Sequence, residues 1–134
     1  MLDWVPRRVK FMGATVHPTF VDHPSQRTVT VRLERKGEQI VGRAGNGQAG
    51  ADMQRAAEAA LDALGQLVGK EVSLVLRQVA PVVALKQSFV MAVVEVRQDR
   101  ANTVLMGVCP SSLHTARDGA LAVLDAVNRY LGTG

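Results

Sequence analysis

Cysteine is almost missing from this 134-residue chain: Cys109 stands alone. A single cysteine excludes a disulfide framework and any cysteine-based zinc cluster within one chain. Aromatic residues are scarce as well, at 4%, with one Trp, one Tyr and three Phe. That leaves little material for a base-stacking platform. Apolar runs are short. The longest, 79–85 and 89–94, fall far below the roughly 20 residues that cross a bilayer. Residues 1–10 lack the apolar segment of a secretory signal, so the expected location is the cytoplasm, where Cys109 is a reduced thiol. Neither sign of charge dominates: sixteen Lys+Arg against twelve Asp+Glu give +4. What is present is a globular composition, 47% hydrophobic and 21% charged. The length suits a single domain, 1–134, able to bury roughly two-thirds of its unfolded surface.

Two segments carry helical periodicity. Met53, Ala56, Ala57, Ala60, Leu61, Leu64 and Leu67 recur at three- and four-residue steps, which predicts an amphipathic helix of about five turns. Asp52 stands where a first-turn acid helps, and Gly69 is a C-terminal stop. Leu113, Ala116, Ala120, Val123, Leu124, Val127 and Leu131 make a second stripe, with Ser111 or Ser112 to cap its start and Gly132 to end it. The other segments read as strands. Residues 28–35 alternate apolar with polar, Lys36-Gly37 makes a tight turn, and 39–44 returns as a hairpin. Further strands are expected over 9–20, 72–85, 88–97 and 103–108, with a turn over 98–102.

The order three strands then a helix occurs twice. Leu61-Asp62-Ala63-Leu64 matches Leu124-Asp125-Ala126-Val127, 63 positions on, and Gly69 matches Gly132 at the same offset. Val9 matches Val72, Val31 and Leu33 match Val94 and Val96, and Gly42 matches Gly107 at 65. Alanine-leucine helices can look alike by chance, but here the offset holds in strands and helices together, which is a fold-level signal. The expectation is an α+β fold made by internal duplication of two βββα units, about 7–69 and about 70–132. Each unit is an antiparallel sheet with one helix.

The two halves differ. First-half strands alternate, whereas Val72, Leu74, Val75 and Leu76, and all of Phe89 to Val94, are apolar on both faces. One face takes the helix. The other needs a second sheet or another chain, and the expectation is a homodimer whose contact includes the second-half strands.

Gly42, Gly45, Gly47 and Gly50 fall within nine residues ahead of the first helix. Free amides and the helix dipole at such a place attract a carboxylate or phosphate. The spacing is neither a P-loop nor a dinucleotide fingerprint, and a plain connection needing positive φ would read the same way. Gly45, Asn46, Gly47 and Asp52 are the ligand-binding candidates there. Ser111 and Ser112 are their counterparts in the second unit, where capping is the commoner role. His17, His23 and His114 lie on separate elements with no metal-ligand spacing. Cys109 sits near a helix start, which lowers a thiol pKa, although a buried structural thiol is the ordinary reading. Asp62 and Asp125 are repeat-related positions and not a catalytic pair. No catalytic residue, metal ligand or cofactor is assigned, and the chain is not expected to be an enzyme.

The paired units resemble the C-terminal regulatory, leucine-binding and dimerisation domain of 2-isopropylmalate synthases, over 9–131. The likeness is carried by the hairpin 29–37 with Gly37 at its turn, by Gly42, Gly45, Asn46, Gly47 and Asp52, and by Gly107 with the helix ending Leu124-Asp125-Ala126-Val127-Asn128. Gln48 stands where that family has a proline, Ala49-Gly50-Ala51 adds length, and Pro110-Ser111-Ser112 replaces an acidic residue. The resemblance implies a stand-alone module that senses a small carboxylate or amino acid, or serves assembly, and acts on any enzyme in trans. Two alternatives come from other classes. One is a small RNA- or DNA-binding protein using the basic start Arg7, Arg8 and Lys10 with Arg27, Arg32, Arg35 and Lys36. The other is an enzyme with a site at a dimer seam.

Overall fold

Valine-rich alternation and two-residue turns set the strands. Lys36 and Gly37 both adopt positive φ, 54° and 82°, the hairpin geometry whose twist matches that of its strands. Leu85 and Lys86 repeat it at 54° and 62° without a glycine. The computed structural model of the chain describes residues 9–20, 23–48, 52–68, 70–112 and 115–133, and their side chains except at 18–20, 23–27, 46–48 and 130–133. In chain order it contains β1 (Lys10–Phe20), β2 (His23–Arg35), β3 (Glu38–Gln48), α1 (Asp52–Gly65), β4 (Val72–Ala84), β5 (Gln87–Gln98), β6 (Ala101–Pro110) and α2 (Thr115–Thr133). β1-β2-β3 form one antiparallel sheet, sheet A, and β4-β5-β6 form another, sheet B. The fold is α+β, with two βββα units.

Each helix packs on its own sheet, α1 on β2 and β3, α2 on β5 and β6; α1 also reaches β4 and α2 reaches β1, and the two helices pack on each other. The core is repeated along with the topology. Val29, Val31 and Leu33 of β2 and Ala92, Val94 and Val96 of β5 are buried on the helix side of their middle strands. Ala57, Ala59, Ala60, Leu61, Ala63 and Leu64 are buried in α1, and their partners 63 residues on are all buried in α2. Leu61 and Leu124 sit at the same depth, 7% and 5% exposed.

Alanine lines these helices because the strands come very close. A Cβ built at Gly42 would lie within 3.0 Å of the Ala59 carbonyl oxygen and of the backbone nitrogen and Cβ of Ala63. One built at Gly107 would meet Ala122 and Ala126 in the same way. Next to each glycine the helix reaches over the sheet edge. Asp62 Oδ2 accepts the Arg43 N–H at 3.0 Å, and Asp125 Oδ2 accepts the Val108 N–H at 2.9 Å. One turn further along, Gln66 Nε2 donates to the Val41 carbonyl at 2.8 Å, and Arg129 Nη2 donates to the Met106 carbonyl. The repeat is broken at Asn128. It accepts the Val9 N–H and donates to the Val9 carbonyl, both at 2.9 Å, whereas the matching position in α1 is Gly65.

Several boundaries differ from expectation. The segment read as a glycine loop is strand as far as Gln48: Gly47 pairs with Arg27 and Gln48 with Gln26. Glycines leave no alternation to read, and β2 starts at His23, early enough to give them partners. α1 ends at Gly65, short of five turns, and closes in a tight turn in which Gln66 and Leu67 donate to Ala63 and Leu64 at 3.1 and 3.0 Å. β6 spans Ala101–Pro110, so the turn before it shrinks to Asp99-Arg100. Gly69 and Leu113 lie outside the described residues.

Replacing either buried glycine forces a Cβ into helix backbone that cannot yield. Gly42→Ala and Gly107→Ala should each destabilise by about 3 kcal/mol in urea unfolding, while Gly45→Ala, where the nearest atom is Thr28 Oγ1 at 3.4 Å, should cost less than about 1 kcal/mol.

Candidate functional site

The start of α1, the start of α2 and strand β1 meet around one open cleft of about 570 Å³. Gly119 of α2 makes this convergence close: a Cβ there would run into the Met53 carbonyl at the start of α1. Phe11, Ala14, Val16 and Ala116 give the cleft apolar walls, and Asp52, Thr115 and Arg117 give it polar ones. An acid in the first turn of α1 and the positive ends of two helix dipoles are set beside one another. The arrangement can take a small zwitterion with an apolar side chain: an ammonium toward Asp52, a carboxylate toward Arg117 and the α2 start, and the remainder against Phe11 and Val16. Its volume lies within the usual range for small-molecule sites.

Of the residues singled out in the sequence, Asp52 lines this cleft and the others lie elsewhere. Gly45, Asn46 and Gly47 are in β3, where Gly47 pairs with Arg27 and the other two fall in a register shift between Arg27 and Val29, and Ala49-Gly50-Ala51 lies outside the described residues. Ser111 extends the β5–β6 ladder, its N–H donating to the Ser88 carbonyl at 3.0 Å. Ser112 stands three residues before the start of α2. Its N–H and its hydroxyl both donate to the carboxylate of Asp118, each at 2.7 Å. Asp118, 1% exposed, therefore ties the strand exit to the first turn of α2, its buried charge satisfied by two donors. The sequence reading missed Asp118 and Arg117. An acid four residues into a helix is the available signal for Asp118.

Beneath that tie, the Cys109 thiol donates to the Asp118 carbonyl at 3.3 Å and the Pro110 carbonyl at 3.5 Å. Burial, joined by the charges of Asp118 and Asp125 and opposed by Arg117, pushes its pKa up to about 11. This is opposite to the lowering that a helix start would give. The thiol is buried, and desolvation is the largest cause of the rise.

His17 is exposed on the outer face of sheet A. His114 and the side chain of His23 lie outside the described residues. Among the described residues no cluster of three or more His, Cys, Asp or Glu side chains is placed to hold a metal ion, and no helix is long and apolar enough to cross a membrane. Arg7 and Arg8 lie outside the described residues. The described outer face of sheet A presents Thr15, His17, Thr28, Thr30, Arg32, Glu34, Gln39, Val41 and Arg43, mostly polar and with no Phe, Tyr or Trp among them. No protein-family model matches the chain, and no curated protein matches it in sequence.

A folded-state thiol pKa raised from 9.0 to about 11 adds stability that is fully present below pH 9 and is lost as pH rises through 11. Wild type should lose up to about 2 kcal/mol more than Cys109→Ala between those values. Urea titrations of both proteins at matched pH values check this. Parallel curves would contradict it.

Proposed function

We propose that the chain is a non-enzymatic module that senses a small amino acid or carboxylate and serves assembly as a homodimer. The observation that carries the reading is the cleft at the joined helix starts, where Asp52 and Arg117 set opposite charges around apolar walls. The βββα pair supports it through its resemblance to the leucine-sensing regulatory domain of 2-isopropylmalate synthases. The binding residues shift accordingly from the glycine stretch to the cleft. Asp52 repels a simple anion and attracts an ammonium group, which favours an amino acid over an organic acid. The apolar walls of Phe11, Val16 and Ala116 favour an aliphatic side chain over a charged one.

A thermal-shift screen of aliphatic amino acids, organic acids and nucleotides tests this directly. An amino acid at a hundredfold excess over its dissociation constant should stabilise the fold by about 2.7 kcal/mol. Asp52→Asn should abolish that shift while raising the response to a simple carboxylate. Absence of a shift with every compound, or an amino-acid shift unchanged in Asp52→Asn, would overturn the reading.

A further inference from the structure

The two sheets turn very different outer faces to solvent. That of sheet A is mostly polar, as described above. That of sheet B is largely apolar: Ala80 and Val82 on β4, Met91 and Val93 on β5, Met106 and Val108 on β6 share it in neighbouring register, with Gln78 beside Val93 and with Val75 and Val104 flanking Glu95. The helices lie against the opposite face, where Val90, Ala92 and Val94 are fully buried. Val104 and Met106 are left 60% and 59% exposed. A largely apolar face of this kind on a solvent side marks an interaction surface.

We infer that a second copy of this chain packs face to face on the outer surface of sheet B; the inference rests on the homodimer reading above and names its surface. Three observations select a copy of the same chain, packed in this manner. First, edge pairing is blunted at every sheet edge. β1 and β4 carry Pro18 and Pro81, which lack an N–H, at repeat-equivalent positions. On β3 one N–H and one carbonyl, of Arg43 and Val41, are taken by Asp62 and Gln66, and on β6 those of Val108 and Met106 are taken by Asp125 and Arg129. Second, the area suffices. Three strands about 4.8 Å apart and about ten residues long give a face on the order of 500 Å², so two faces remove on the order of 1,000 Å² from water, the threshold for a specific interface. Third, the charges at one end of the face are matched within the chain. Glu95 pairs with Arg97 at 2.9 Å and Arg77 at 3.6 Å, so a two-fold contact leaves no carboxylate unpaired at its rim. Two sheets stacked in this way lie about 10 Å apart, with a helix layer on each outside.

The test is sedimentation velocity at tens of micromolar with circular dichroism on the same samples. Met106→Glu places a charge opposite Val93 at the middle of the face, and Val104→Lys repeats the test at a second exposed position. His17→Glu on sheet A is the control. Wild type and His17→Glu should sediment as dimers. Met106→Glu and Val104→Lys should be folded monomers, with dimer dissociation raised by more than about tenfold. A wild-type monomer would overturn both this inference and the homodimer reading. Dimers persisting in both folded variants would overturn the surface alone. Open-ended polymers in wild type would overturn the argument from the edges. None of these outcomes bears on the thermal shift with amino acids, so the ligand reading stands or falls separately.

Discussion

Everything in this molecule is arranged around two places where a strand lies directly against a helix backbone. At Gly42 and Gly107 no side chain separates sheet from helix, and the alanines opposite, Ala59 with Ala63 and Ala122 with Ala126, complete the contact. Close approach brings Asp62 and Asp125 within hydrogen-bonding reach of the next residue's N–H on the strand. The contact thus fixes the height of the helix above the sheet, its position along the strand and the closure of the strand edge together. With the helix held that near, the buried core between sheet and helix is built mainly of valine and alanine. Few large side chains are needed, which fits the scarcity of aromatics in the sequence.

Two consequences reach the functional surfaces. The helices meet at their N-terminal ends, so the ends with free amides and positive dipoles border one cleft. And because helix side chains take one N–H and one carbonyl on each of β3 and β6, pairing through those stretches of edge is hindered. One outer sheet face is mostly polar and the other largely apolar, although both sheets follow one pattern. On the homodimer reading proposed above, that difference between the two repeated units separates a solvent side from a contact side.

Topology, the middle-strand cores and the repeat were legible in the sequence because each rests on periodicity. Val29-Val31-Leu33 reads as a half-buried strand, and Leu61 and Leu124 fall at equivalent helix positions. The glycine stretch was misread because the same residues serve two geometries. Gly42 is there for close packing and Gly47 sits in a paired strand, but a run of glycines ahead of a helix looks like an anion loop. The roles of Asp62 and Asp125 were equally hidden: their bonds cross 19 and 17 residues of sequence to main-chain groups that carry no side-chain signal. The cleft depends on how two distant helix starts converge, so only Asp52 among its residues stood out beforehand. The Cys109 pKa depended on burial, which the lone letter does not convey.

The central claim, that each helix is fastened to its sheet edge by one aspartate beside one glycine, is tested most directly by amide hydrogen exchange at Arg43 and Val108. Outward N–H groups on an edge strand exchange freely unless something accepts them. The account predicts protection at both amides in wild type, lost at Arg43 alone in Asp62→Ala and at Val108 alone in Asp125→Ala. Exchange of both amides at unprotected rates in the wild-type protein would contradict it.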